Sequence, residues 1–270
     1  MPHSVDKSAE LRAYWSAAAA HDTDADGLRP TARDPYLQDV VESAIERRLR
    51  PGDRVLDIGC GDGASTIRFA RRVGRIVGVD YIDAFVKKAV AGASEAGVDN
   101  AAFEPANVLD LGGVRERHGR FDAAITIRCL INLGSAAEQA AAIAEIAGCI
   151  APGGLYLTSE GWAEGMEGLN LLRRRAGLPE IEVVKYNRLL RRADFERQAA
   201  RHFDLEDYVG LGFFLMLSRV VQPLLVAPEP ASHTHELNRI AARLEQQCLT
   251  GKQFDACDYA GVYVLRRKDE

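Results

Sequence analysis

Cysteine is scarce in this chain of 270 residues, and what there is does not pair. Cys60, Cys129, Cys149, Cys248 and Cys257 are scattered, odd in number and free of any Cys-x-x-Cys spacing. That argues against a disulfide framework or a cysteine-built zinc site, and predicts reduced thiols that mostly fill the core. Long apolar runs are missing too: no stretch approaches the roughly 20 residues that a membrane-crossing helix needs. The start Met1-Pro2-His3-Ser4-Val5-Asp6 has neither the charged nor the apolar region of a signal peptide. A soluble cytoplasmic protein with no membrane partner is expected. Positive charge is in deficit, with 34 Lys and Arg against 39 Asp and Glu and a formal net charge of -5. Nucleic acid is therefore a disfavoured partner, because non-specific grip on phosphate needs a dense basic surface.

The hydrophobic fraction, 47%, is enough for one substantial core but not for two full-sized domains. Apolar, β-rich runs alternate with helical patterns, the signature of strand, crossover helix and parallel strand. Strands are predicted over 54–57, 75–80, 101–104, 121–127, 154–159, 203–209 and 259–266. Helices are predicted over 8–20, 35–49, 64–72, 84–96, 113–118, 136–150, 165–175, 193–202 and 235–249. Ser135 with Glu138 reads as a capping box, and Pro152-Gly153-Gly154 as its stop. The expected organisation is a helical cap (1–50), a ligand-binding core (51–162), a helical lid or substrate region (163–202) and a last segment (203–270). That last segment carries two strands around an insertion of about fifty residues, a candidate lid or dimerisation element. A homodimer is compatible with it.

The strongest local signal is Val55-Leu56-Asp57-Ile58-Gly59-Cys60-Gly61-Asp62-Gly63, an apolar strand ending in an acid and three alternating glycines. Glycine is needed where the chain turns sharply after a strand and lets a ligand lie against main-chain atoms. The following helix then aims its N-terminal N–H groups at that ligand. A nucleoside-triphosphate loop fails, because no Gly-Lys-Ser/Thr follows. A dinucleotide fingerprint survives only in its G/A variant, with Ala64 as the last position, and keeps a nicotinamide-dependent oxidoreductase as an alternative.

These residues resemble the class I S-adenosylmethionine-dependent methyltransferases, well over about residues 50–160 and loosely outside. The family's D-x-G-x-G-x-G is Asp57, Gly59, Gly61 and Gly63, and Asp80 stands 17 residues after Gly63 at the end of the second strand. The resemblance implies that Asp80 takes both ribose hydroxyls, which suits a carboxylate, with Tyr81 beside it. It implies that the segment Phe103 to Asp110 meets the adenine through Asn107, in the usual Asp position, and Val108, with Asp110 as a substitute. Phe121 to Arg128 and Ile150 to Gly154 resemble the fourth-strand motif and the loop before the fifth. The implied fold is a doubly wound, Rossmann-like sheet of seven strands, mostly parallel with an antiparallel last strand, plus N-terminal helices and a helical lid insertion. The implied cofactor is S-adenosylmethionine (SAM). A non-catalytic SAM-binding regulatory or scaffold subunit is the third reading.

Methyl transfer is an in-line displacement, so the protein mainly aligns the nucleophile and excludes water; a base helps where a proton must leave. The expected acceptor is a small molecule methylated on O, N or C; no Asn-Pro-Pro-Tyr or Asp-Pro-Pro-Tyr motif of base-amino methyltransferases is present. Strand ends supply the candidates: Arg128 and Asn132 after strand four, Glu160 and Trp162 after strand five, with Glu160 and Asn132 as the catalytic pair. Tyr14 and Trp15 are expected over the methionine end of the cofactor, and Arg33 on its carboxylate. Nine basic residues between Arg173 and Arg201 fit an anionic acceptor or, preferably, a solvated helix face. Phe213, Phe214 and Met216 are read as pocket or core, and His202, His233 and His235 as bases or bystanders. No metal is expected: the calcium-loop look-alike that starts at Asp22 has Arg33 where a bidentate Glu belongs, and Pro30 inside it.

Overall fold

The computed structural model describes residues 7–23, 27–248 and 251–269. Seven strands, β1 (Arg54–Ile58), β2 (Arg75–Asp80), β3 (Ala101–Pro105), β4 (Phe121–Ile127), β5 (Ile150–Ser159), β6 (Phe203–Val209) and β7 (Val262–Arg267), form one sheet in the order β3-β2-β1-β4-β5-β7-β6. The first five run parallel; β7 is antiparallel to both β5 and β6. This is the architecture expected from the resemblance. The order reverses at β1, so the crevice beyond β1 and β4 is where such a sheet takes a ligand.

The helices are α1 (Lys7–Ala18), α2 (Pro35–Glu46), α3 (Ala64–Ala70), α4 (Asp83–Glu95), α5 (Gly112–His118), α6 (Ala136–Cys149), α7 (Ala163–Arg175), α8 (Arg192–Ala199), α9 (Gly212–Met216), α10 (Gln222–Val226) and α11 (Glu236–Cys248). A π turn, Leu217–Val221, joins α9 to α10. Successive strand residues point to opposite faces, and both faces are covered. Leu56, Val77 and Ala124 pack under α6 and α8 with Ile143, Ile146 and Phe195. Val55, Ile76 and Ile125 pack under α2, α3, α9 and α11 with Val41, Phe69, Phe214 and Ala241. Covered on both sides, the central strands read as continuous apolar runs.

Local chemistry sets the ends. Asp34 caps α2, its carboxylate accepting from the N–H groups of Tyr36 (3.1 Å) and Leu37 (2.9 Å), with Pro35 as the first helical residue. Ser135 and Glu138 form the full capping box of α6. Between β6 and β7 the insertion is helical, and most of it lies on the sheet and against α2. Phe214 is fully buried there and Phe213 packs on Phe254. Trp162, expected near the acceptor, is instead core: fully buried among Phe195 and Tyr263, its indole donates to the Gly261 carbonyl at 2.9 Å. Among the described residues no helix is long and apolar enough to cross a membrane.

Candidate active site

A cavity of about 1570 Å³ opens at the carboxyl ends of β1, β2, β4 and β5. Its floor is the glycine loop, where Gly59 and Gly63 hold φ of 73° and 78°. A Cβ on Gly59 would lie 2.9 Å from the Cys129 sulfur, and one on Gly63 would lie 2.5 Å from the Ala89 Cβ. Gly59 and Gly61 line the cavity; Gly63 lies behind it, letting α3 start close against α4. Asp57 fixes the loop from below. It is buried, accepts from the Thr66 hydroxyl at 2.5 Å, and burial pushes its carboxyl up to about 7.

At one end of the cavity stand Asp80, Tyr81, Asn107 and Val108. Asp80 is buried, and its two oxygens accept separately from the N–H groups of Gly61 and Ile82, each at 2.9 Å. Burial raises its pKa, against those N–H groups. Each carboxylate oxygen has a lone pair left for a further donor. The Tyr81 phenol oxygen is buried without a hydrogen-bond partner. Asn107 uses its side-chain oxygen to accept from the Leu109 N–H at 3.0 Å, shaping the turn after β3. Asp110, the proposed substitute, does not line the cavity.

At the other end, Arg128 leaves β4 with φ of 54°, the only non-glycine residue with positive φ among those described. Such strain persists only where surroundings impose it, and they do. The Arg128 guanidinium donates to the Thr31 carbonyl (2.6 Å) and the Gln38 side-chain oxygen (2.7 Å), while its own carbonyl accepts from the Asn132 amide at 2.7 Å. Asn132 in turn accepts from the Trp15 indole at 3.3 Å. The pair thus ties the end of β4 to α1 and to the segment before α2. Glu160 is buried, and its two oxygens accept from the N–H groups of Cys129 and Ile131, both at 3.2 Å. Burial pushes its carboxyl up to about 7. It holds the turn after β4 while still facing the cavity.

Over the opening, Tyr14 packs on Tyr186 (centroids 5.0 Å apart) and Trp15 on Phe85 (6.3 Å). α1 and the segment Ile181 to Leu189 so form a two-part cover. Arg33 lines the wall. The basic run does not form one field. Arg174 pairs with Glu180, Arg191 with Glu167, Arg192 with Asp258 and Arg197 with Asp194; Arg173 donates to the carbonyls of Pro179 and Arg219, and of the nine only Lys185 and Arg188 line the cavity. His202 and His235 stay outside; His235 caps its own helix by accepting from the Leu237 N–H. His233 lines the cavity. Part of the calcium-loop look-alike, Asp24 to Asp26, lies outside the described residues; Asp22 pairs with Lys88 at 2.6 Å.

Several cavity residues escaped the sequence reading. Gln38, which lines the cavity, forms a buried polar pair at 2.7 Å with Glu42 behind it, one turn on along α2, and the pair also engages Ser65; their spacing on the apolar face of an amphipathic helix was the available signal. Asp34, Arg219 and Tyr259 meet only through the fold, and nothing local announces them.

The residues fit S-adenosylmethionine. The loop a Cβ would fill, the buried carboxylate with unfilled acceptor capacity and the unpartnered Tyr81 phenol suit a ribose and its neighbours, and the cavity exceeds the roughly 300–1,000 Å³ of single-ligand pockets. Residues 55–154 match the family described as methyltransferase domain. The strand order above is that of the class I, Rossmann-like S-adenosylmethionine-dependent methyltransferase fold, and the matched segment carries the glycine loop, Asp80 and Asn107. The chain is 32% identical over 157 residues to the ubiquinone biosynthesis O-methyltransferase of Xanthomonas axonopodis pv. citri, covering 57% of this chain and 59% of that protein. It is 44% identical over 70 residues to the 23S rRNA (uracil(1939)-C(5))-methyltransferase RlmD of Photobacterium angustum, covering 26% of this chain and 32% of that protein. The chain spans a third or less of the rRNA-methyltransferase relatives it matches. Magnesium protoporphyrin IX methyltransferase from Synechocystis, with bound S-adenosylhomocysteine (SAH), shares the fold at TM-score 0.60 and 16% identity, covering 97% of this chain and 100% of that one.

The rRNA relatives correct one expectation. A small-molecule partner was expected and nucleic acid set aside because of the net charge; partial-length relatives named as 23S rRNA methyltransferases remove that exclusion. Net charge sums the whole chain and says nothing about the surface beside one cavity.

Proposed function

We propose that this protein transfers a methyl group from S-adenosylmethionine to a small acceptor held in the far half of the cavity, in the cytoplasm. The observation that carries the reading is the cavity's extent: about 1570 Å³, continuous from Asp80 and Asn107 at one end to Glu160, Arg219 and Tyr259 at the other. One nucleoside ligand leaves the second half for a reactant.

The cofactor supplies an electrophilic methyl group on a sulfonium sulfur. In this reading the residues divide the remaining work by position. Asp80 and Tyr81 bind the ribose, and Asn107 and Val108 border the base. The main chain of Gly59 and Gly61 lies under the methionine part, with Gly63 and Asp57 setting the loop's shape. Tyr14, Trp15 and Arg33 cover that end, and the cover excludes water, which strengthens every polar contact beneath it. Glu160, Asn132 and Arg128 act by position: they hold the Cys129–Ile131 turn and the entry to α2, which fix where an acceptor atom sits. Near-attack alignment is the main contribution such a site makes.

The relatives' names support a second reading, an RNA base as acceptor. The test is incubation of the purified protein with methyl-labelled SAM and, separately, low-molecular-mass metabolites and rRNA fragments. The small-acceptor reading expects label in the metabolite fraction, together with equimolar SAH; label in RNA favours the second reading. A melting-temperature rise with NADH and none with SAM would favour an oxidoreductase. SAM binding with no methyl release from either acceptor pool would favour a regulatory subunit.

A further inference from the structure

At the acceptor end of the cavity one imidazole stands beside a buried carboxylate. His233 lies in the turn between α10 and α11, with its side chain 41% exposed and its Nδ1 3.5 Å from the Asp34 carboxylate. Asp34 is itself 8% exposed at the side chain and pairs with the equally enclosed Arg219, which reaches it from the π turn. The other Asp34 oxygen takes the two N–H groups at the start of α2. Burial alone would push Asp34 up; hydrogen bonding with His233, the Arg219 charge and the Leu37 N–H hold it well below the usual carboxylate range. So the group facing Nδ1 is a fixed anion. The backbone is fixed too: buried Asn238 donates to the carbonyls of Ser232 (3.1 Å) and His233 (3.2 Å), and Gln222 donates to Ser232 at 2.9 Å. Arg219, Tyr259 and His233 all line the cavity.

We propose that His233 is the general base of this site, oriented by Asp34, for an acceptor that loses a proton from oxygen or nitrogen; the proposal rests on the methyl-transfer reading above. An anion at Nδ1 selects the tautomer that carries its proton there and leaves the Nε2 lone pair for the cavity. His233 takes the proton from the acceptor atom as that atom bonds to the methyl carbon and the sulfur–methyl bond breaks. The imidazole ends as imidazolium and the sulfur as a neutral thioether. Arg219 and the start of α2 keep Asp34 charged throughout, so Asp34 and Arg219 are positioning residues. No other described histidine lines the cavity.

Two readouts test this. Long-range proton–nitrogen NMR on the SAH complex, with His233 assigned by loss of its signals in His233→Gln, should find neutral His233 protonated on Nδ1, and Asp34→Asn should abolish that preference. A neutral His233 protonated on Nε2 overturns the proposal. With labelled SAM and the low-molecular-mass fraction of a bacterial extract as acceptor pool, His233→Gln and His233→Asn should lose about 10²- to 10⁴-fold in methyl transfer, the span of general-base contributions. Their SAH affinity should stay within twofold of the parent. Methyl transfer unchanged in both variants overturns the proposal. Failure of the wild-type protein to bind SAH counts against the methyltransferase reading instead. Where SAH binds but no methyl moves, the tautomer alone decides for or against the dyad.

Discussion

Replacing Asp80 by Asn changes one atom and should uncouple the cofactor's ribose from the sheet. The two Asp80 oxygens each accept one backbone N–H at 2.9 Å, from Gly61 on one side and Ile82 on the other. An amide can present its oxygen to only one of them, and its NH₂ group then faces the other N–H. One buried donor is left unpaired, which costs about 1–3 kcal/mol of stability. The ribose meets one donor where it expects an acceptor, and a hydrogen bond to a charged group is worth about 1.5–3 kcal/mol. At about 1.4 kcal/mol per factor of ten, SAH affinity should fall about 10- to 100-fold. Isothermal titration measures it, and a cycle with the 2′,3′-dideoxy analogue of SAH isolates the contact. The wild-type protein should lose affinity for the analogue, and Asp80→Asn should not lose it again. Equal SAH affinity in both proteins, or losses that simply add, would refute the assignment.

Three further outcomes follow from neighbouring residues. Tyr81→Phe removes a buried, unpartnered phenol, so the free protein should melt a few degrees higher and bind SAH about 3- to 10-fold more weakly; thermal melts with and without SAH check both, and no change in either refutes the role. Gly63→Ala combines a left-handed residue with a Cβ 2.5 Å from Ala89; urea unfolding should report a loss of about 2–5 kcal/mol, and a loss under 1 kcal/mol would mean the loop yields freely. Asp57, pushed up to about 7 by burial with Thr66 opposing, keeps a proton that the unfolded chain gives up near its ordinary value of about 3.9. Its contribution should therefore be full below that value and decline as pH rises toward 7, by up to about 1.4 kcal/mol per pH unit. Asp57→Asn should flatten that part of the stability profile of the free protein, and an unchanged slope contradicts it.

The sheet was legible because its signals are local. β2, β4 and β6 span the stretches that apolar runs predict, and the Ser135–Glu138 box begins α6 where capping chemistry requires it. The glycine loop and Asp80 were legible for the same reason: turn geometry and strand ends leave short-range marks. Trp162 was misplaced because its position just after β5 suggested a strand-end site, whereas the antiparallel β7 covers it. Glu160 and Asn132 line the cavity, but their hydrogen bonds go to backbone and to Trp15, which no spacing reveals. The cluster of Asp34, Arg219 and His233 was invisible because 185 residues separate the first two. Only the packing of the π turn against the start of α2 brings them together.

The central claim is methyl transfer itself, and the most direct measurement is SAH formed per labelled methyl recovered when the purified protein meets labelled SAM and separate metabolite and rRNA pools. The account predicts SAH and labelled small molecule in a one-to-one ratio, with none formed by the protein and SAM alone. SAM that binds but yields no SAH with any pool would contradict the claim, and label recovered only in RNA would contradict the small acceptor.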